Sequence, residues 1–184
     1  MSNLKAEVDD VWRNADCLWD RQQVERAIDE VAQQITNDSS ESEPIVIIVM
    51  KGGMIFGAAL ATRLKFPLVL DYIHVSRYGD KLHGTDLNWL VEPSEPLSGR
   101  HIILVDDILD EGKTLQSVVR FCEQQQAADV KTVVLVNKIH DRKVKPLFQA
   151  DYCCMDVPDR YVFGFGMDYK GYLRNLPQIY AVDE

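Results

Sequence analysis

The sequence predicts an α/β fold with a doubly wound, mainly parallel sheet flanked by helices. Three observations carry this reading: short, wholly apolar, β-branched runs; helix-periodic segments between them; and polar or glycine-bearing residues where each run ends. A continuously apolar run of four to eight residues suits a parallel strand covered on both faces, because neither face meets water. At 184 residues, 46% of them hydrophobic and 27% charged, the chain is long enough to bury such a core as a single domain over 1–184.

The elements follow in chain order. Asp20 stands where a helix N-cap is needed, and Val24, Ala27, Ile28, Val31 and Ile35 recur at helical spacing behind it, making one apolar stripe for scaffold or subunit contact. The polar run 37–43 is a loop. Strands are expected at 45–50, 102–105 and 133–136, with 68–75 a less uniform fourth, and helices at 55–64, stopped by Pro67, and at 114–126. Residues 76–97 carry Gly79, Gly84, Pro93 and Pro96 around a strand at 87–91, which makes a long excursion of the kind that serves as a lid. Beyond Lys138, residues 152–157 and the stretch YVFGFGMDY at 161–169 read as a small antiparallel flap.

Charge and composition exclude several classes. Twenty Lys and Arg against 29 Asp and Glu leave a net charge of -9, which opposes duplex nucleic acid and anionic membrane as partners. A small anionic ligand stays open, since a few placed cations and backbone amides can hold phosphate inside an acidic protein. The amino terminus lacks a basic region followed by an apolar stretch, and the apolar run 45–50 is too short to span a bilayer, so a cytoplasmic protein is expected. Cys17, Cys122, Cys153 and Cys154 show no CxxC spacing and read as reduced, buried thiols; the four histidines form no i, i+4 pair, so no zinc site is expected.

In an open α/β sheet, ligands bind beyond the carboxyl ends of the strands. Those ends carry Lys51-Gly52-Gly53, Ser76-Arg77-Tyr78-Gly79, Asp106-Asp107 and Asn137-Lys138. The most informative stretch is VDDILDEGKTL, 105–115. Gly112 allows successive N–H groups to curl inward, and a helix start adds unpaired donors and a positive dipole end, so a phosphate cradle results. The adjacent carboxylates only accept hydrogen bonds, which suits the two hydroxyls of a ribose. The plainer reading is that the aspartates and Thr114 merely cap the helix. An NTPase P-loop is disfavoured, because Asp107 stands where its first glycine should be. A receiver domain would place its acidic pair after the first strand and would leave the glycine unexplained.

The chain resembles the type I phosphoribosyltransferases, and within them the hypoxanthine-guanine branch. The resemblance runs over about 44–180 and rests on Lys-Gly-Gly after the first core strand, VDDILDEGKTL, the Val-Asn-Lys strand end, and the carboxy-terminal DRYVFGFGMDYKGYLRNLP. It implies a purine-salvage transfer of the 5-phosphoribosyl group from phosphoribosyl pyrophosphate to N9 of hypoxanthine or guanine, with Mg²⁺, giving IMP or GMP and pyrophosphate. It also implies a core over about 40–140, a mobile loop over about 76–97, a base-binding hood over about 151–184 with part of the amino terminus, and a homodimer or homotetramer.

Roles come with the resemblance. Asp106 and Asp107 match the acidic pair for ribose hydroxyls and Mg²⁺, with Asp168 a third metal residue. Asp110 matches the catalytic carboxylate near purine N7, within a substrate loop of Ile108, Leu109, Asp110, Glu111, Gly112, Lys113 and Thr114. Lys51 and Gly52 match a pyrophosphate loop that in this family often holds a non-proline cis peptide, and Arg174 a second pyrophosphate contact. Lys138 can only donate, so it selects the O6 acceptor of a 6-oxopurine over the amino group of adenine. Arg160, Tyr161 and Val162 fall in the base-binding stretch, with Tyr161 stacked on the purine; read without the family, Lys138 is a solvated strand end and Tyr161 is packing. Two positions depart from the pattern: Glu111 replaces the usual Thr or Ser, where its side chain is expected to point outward while its amide serves the cradle, and Arg77-Tyr78 replaces Ser-Tyr. The competing readings are a xanthine-preferring or other phosphoribosyltransferase, and a non-catalytic sensor of phosphoribosyl pyrophosphate that controls nucleic acid. That sensor calls for a basic face or a winged-helix segment, and the sequence has neither.

Overall fold

A computed structural model describes residues 2–39, 41–77, 87–144 and 148–183. The chain opens with α1 (Ser2–Asn14), β1 (Asp16–Trp19) and α2 (Arg21–Ser39), followed by β2 (Ile45–Met50), α3 (Gly53–Ala61) and β3 (Val69–Arg77). Then come β4 (Leu87–Val91), β5 (His101–Leu109), α4 (Lys113–Gln124) and β6 (Asp129–Lys138). It ends with β7 (Tyr152–Val157), β8 (Val162–Phe163) and β9 (Ile179–Ala181).

Six strands form one sheet in the order β4-β3-β2-β5-β6-β7, parallel except for the antiparallel edge strand β4. The apolar runs work by alternation. On β2, Val46 and Ile48 pack with α2 and α3, while Ile45, Ile47 and Val49 pack with α4 on the other face. Ile103 and Val105 on β5 divide from Ile102 and Leu104 in the same way. Because both faces are covered, every one of these side chains is buried, each adding roughly 1.5–3 kcal/mol of transfer free energy. The predicted stripe of α2 is the buried one, with Val24, Ile28, Val31 and Ile35 facing the sheet. Its start is a reciprocal cap: Gln23 N–H donates to Asp20 Oδ1 at 2.9 Å and Asp20 N–H to Gln23 Oε1 at 2.8 Å.

Two differences from the sequence expectation matter. Strand β5 runs four residues beyond the apolar stretch, because its ladder to β6 continues through Asp106↔Val134, Ile108↔Val136 and Leu109↔Asn137. Residues 152–157, expected in the flap, instead form β7, the sixth strand of the core sheet, with Val134↔Cys153 and Val136↔Met155 in parallel register. The antiparallel hood is a separate three-stranded sheet, β1-β9-β8, so the amino terminus does contribute to it. Within the excursion expected at 76–97, Tyr78 and the rest of 78–86 lie outside the described residues, as does the Arg77 side chain. Its described part returns as β4. There the carboxylate of Asp71, buried on β3, accepts N–H groups of Ser94 and Glu95 at 2.8 and 3.0 Å. Burial works against that carboxylate's charge, but these bonds outweigh it and hold its pKa below the ordinary range.

Candidate active site

The order of strands reverses between β2 and β5: the chain moves outward from β2 to β3 and returns to pair β5 on the other side. A crevice opens at such a point, beyond the carboxyl ends of both strands. Here the ends are Met50-Lys51-Gly52 and Asp106-Asp107. The Met50–Lys51 peptide is cis, at the loop where the resemblance expected a non-proline cis bond.

A cavity of about 340 Å³ fills the crevice, lined by Gly52, the acidic pair, Asp110 to Thr114, Asp168 and Arg174. Gly112 sits in the left-handed region at φ 82°, ψ 0°, directly before α4, and no side chain caps that helix. The capping reading of the aspartates and Thr114 therefore does not hold. Lys113, Thr114 and Leu115, the first turn of α4, line the cavity, and the N–H groups of a helix start are ready donors for an anion. Glu111 pairs its carboxylate with Lys113 Nζ at 2.7 Å, while its carbonyl accepts Val144 N–H. On the opposite wall Arg174 is fixed by Asp168 Oδ1 and by the carbonyl of Gly166, each at 2.5 Å.

Asp106 and Asp107 sit side by side, with Asp106 nine-tenths buried. Burial first, and the neighbouring Asp107 charge second, push Asp106 well above the ordinary carboxylate range. Burial also raises Asp107, although Arg174 partly offsets it. Asp110 is the reverse. Burial works to raise it, but His140 at 2.6 Å on Oδ1 and Lys138 at 3.2 Å on Oδ2 outweigh that and hold it low.

Asp107, Ile108, Asp110 and Asp168 also line a second, adjoining cavity of about 230 Å³, completed by Lys138, Tyr161, Val162 and Met167. Lys138 is nearly buried, so it is no solvated strand end. Tyr161 is 53% exposed, its ring edge-on to Tyr169 at 5.5 Å, which leaves one face open rather than packed. Burial first, and the Asp168 charge second, raise its phenol, so it stays neutral.

A crevice with an anion cradle at one end and a flat pocket at the other, joined by carboxylates, suits a sugar phosphate bearing a planar base. The model of the phosphoribosyl transferase domain matches residues 14–170. The chain belongs to the phosphoribosyltransferase family. Among curated phosphoribosyltransferases it is 32% identical over 163 residues to the hypoxanthine-guanine phosphoribosyltransferase of Streptococcus pneumoniae strain R6, covering 88% of this chain and 89% of that one. It is also 32% identical over 169 residues to the enzyme of that name from Aquifex aeolicus, covering 91% and 94%. A solved hypoxanthine phosphoribosyl transferase of Trypanosoma cruzi matches with a TM-score of 0.84 at 30% identity over 91% of each chain.

Not every residue that the phosphoribosyltransferase pattern nominated lies at the crevice. Leu109 is buried in the core beneath Gly112. Arg160, two residues before β8, turns away, bonding the carbonyl of Val182 just after β9 and the carboxylate of Asp16 on β1, both at 2.7 Å. Lys51 follows the cis bond with an exposed side chain. The three residues expected to bind metal do not make a ready cluster. Both oxygens of Asp168 are engaged, Oδ1 by Arg174 and Oδ2 by the N–H of Gly171 at 2.6 Å, and no group of three or more His, Cys, Asp or Glu that could hold a metal occurs among the described residues. Sequence reasoning missed His140, since a lone histidine in a polar loop carries no pattern. It missed Glu7 as well, whose bonds from Tyr169 at 2.8 Å and Lys170 at 2.5 Å support the wall behind Tyr161.

Proposed function

We propose that this phosphoribosyltransferase acts in purine salvage, moving the 5-phosphoribosyl group of phosphoribosyl pyrophosphate to N9 of hypoxanthine or guanine. The observation that carries the reading is the position of Asp110, at the junction of the cavity with the Gly112 cradle and the cavity with Lys138 and Tyr161. The 5-phosphate rests on the amides at the start of α4, the ribose hydroxyls face Asp106 and Asp107, and pyrophosphate lies toward Lys51, Gly52 and Arg174. Lys138 donates to O6, Tyr161 covers one face of the ring, and main-chain groups of Val162 meet its edge. As the bond at C1 lengthens, positive charge grows on the sugar, and the carboxylates beside it stabilise that charge. Asp110 accepts the proton of purine N7.

The acidic pair fits Mg²⁺. Two adjacent carboxylates, Asp106 buried and Asp107 half-buried, both with raised affinity for protons, favour a cation between them and the substrate, and Mg²⁺ characteristically takes one or two carboxylates together with waters and phosphate oxygens. When bound, it would neutralise the leaving pyrophosphate. Asp106 and Asp107 would hold it, with Asp168 a third carboxylate lining the same cavity. All four cysteines are free thiols, but only Cys122 is buried, with Cys17 and Cys153 exposed, so the expected burial does not hold; free thiols fit a reducing compartment, and we place the protein in the cytoplasm. No helix among the described residues is long and apolar enough to cross a membrane. A homodimer or homotetramer belongs to the same proposal, supported by the exposed Leu70 and Tyr72 on one face of β3 and Leu90 on β4.

The test is turnover of hypoxanthine, guanine and xanthine with phosphoribosyl pyrophosphate and Mg²⁺. Formation of IMP and GMP is expected; conversion of xanthine alone would overturn the base assignment, and binding without conversion would favour the sensor. Glu111 gives a second check. Its carboxylate is turned to Lys113, and a half-exposed pair of this kind is worth about 0–1 kcal/mol. Glu111→Thr should therefore leave the KM for phosphoribosyl pyrophosphate unchanged or lower it by less than about fivefold. A sharp rise in KM would mean that the carboxylate itself serves the site.

A further inference from the structure

The two oxygens of Asp110 are held unequally. Oδ1 meets His140 Nε2 at 2.6 Å, and Oδ2 meets Lys138 Nζ at 3.2 Å. The His140 side chain is 3% exposed, whereas that of Asp110 is 43% exposed. The ring has a defined tautomer. The backbone N–H of Arg142 points at Nδ1 from 3.0 Å and can only donate, so Nδ1 is the acceptor and the proton resides on Nε2. That proton lies against Asp110 Oδ1.

We propose that His140 is a positioning residue for the transfer: it holds Oδ1 of Asp110 through its Nε2 proton, leaving Oδ2 to exchange Lys138 for the N7 proton of the base. The inference rests on the function proposed above. Lys138 lies in the base cavity and must turn to O6 when a purine enters, which removes the only partner of Oδ2 among the described residues. His140 has no such alternative duty and stays. A carboxylate held by one oxygen keeps its plane while the other oxygen reacts, and orientation of this kind is where a small displacement is felt most.

The segment carrying His140 is itself tied down at both ends. Ile139 N–H donates to the carbonyl of Val157 at 2.9 Å. The Arg142 guanidinium grips both oxygens of Asp159, drawing that carboxyl down to about 2, its hydrogen bond to Arg142 being the main cause. Asp159 stands two residues before Tyr161. The wall of the base pocket and the holder of Asp110 are thus joined through one side chain, Arg142, which also lies 4.0 Å from Asp110 Oδ1.

The experiment compares wild type with His140→Leu, which fills the space without a donor, and His140→Gln, whose terminal amide can place a donor near the Nε2 position. Steady-state kcat and the KM values for hypoxanthine and phosphoribosyl pyrophosphate are measured for each. His140→Leu should lower kcat ~10- to 100-fold, with KM for phosphoribosyl pyrophosphate within about twofold of wild type, and His140→Gln should recover most of the loss. A purely structural histidine would move both constants and would not be rescued by Gln, and that pattern overturns the inference, as does an unchanged kcat in the Leu variant. Should Leu not fold, His140→Asn removes the Nε2 donor in its place, and failure of both to fold also overturns it. A wild-type protein that converts no purine overturns the proposed function, and this inference with it; an active wild type indifferent to residue 140 overturns this inference alone.

Discussion

Changing Asp110 to Asn is expected to lower kcat for hypoxanthine by about 10²- to 10⁴-fold while leaving the KM for phosphoribosyl pyrophosphate nearly unaltered. The substitution removes a proton acceptor from the junction of the two cavities and leaves the phosphate donors at the start of α4 in place. It also creates a local conflict. Both partners of Asp110, His140 Nε2 and Lys138 Nζ, donate, so the carboxylate satisfies both whereas an amide must turn its NH₂ toward one of them. Steady-state kinetics with titration of phosphoribosyl pyrophosphate checks the split, and a kcat within tenfold of wild type would remove Asp110 from the chemistry.

The sign of the pH dependence follows from the same contacts. With His140 and Lys138 holding it below the usual carboxylate value of about 3.9, Asp110 is ionised across the whole neutral range, so it should impose no fall in rate between pH 8 and 5. A carboxylate held this low is a weak base at rest. In the proposed reaction Lys138 turns to the purine O6, so one of the two groups that depress Asp110 leaves and its affinity for the N7 proton rises as the base takes its place. Binding of the correct base and activation of the acceptor are then one event.

Most of this site was legible in the sequence because it sits at strand ends. Apolar β-branched runs announce the strands, and topology does the rest: once β2, β5 and β6 are parallel neighbours, Gly52, Asp107 and Lys138 share an edge without any local pattern saying so. What stayed hidden did so for physical reasons. The last turn of the β5 ladder carries Asp106 and Asp107, whose carboxylates interrupt the apolar signal though the backbone pairing continues. Strand β7 reads YCCMDV, too mixed to look like core, because it is an edge strand with only Met155 and Val157 fully buried. Helix α1 buries Val8 alone among its described side chains, so it shows little of the stripe that reveals α2. Arg160 and Leu109 show the converse: membership in a binding stretch does not set where a side chain points.

Gly52→Ala should separate activity from stability more sharply than any other change. At φ −61° and ψ −48° the residue has ordinary helical torsions, so alanine costs nothing in the backbone. Its Cβ, however, would lie 1.9 Å from Asp107 Oδ2 and 2.8 Å from Oδ1. The fold can relieve this by swinging one side chain, at roughly 1–3 kcal/mol, or a fall of a few degrees in Tm. The site cannot, because the displaced group is one of the two carboxylates proposed to face ribose and Mg²⁺. A loss of about 10²-fold or more in kcat/KM for phosphoribosyl pyrophosphate is expected, in a protein that still melts cooperatively. Retained activity would show that the Asp107 carboxylate is not needed where it now stands. Gly166 makes the contrast: at φ 109° its Cβ would lie 2.2 Å from the carbonyl oxygen of Gly52, a clash of backbone with backbone that no rotamer relieves. One glycine therefore keeps a carboxylate in position, and the other lets the hood close onto the loop that carries it.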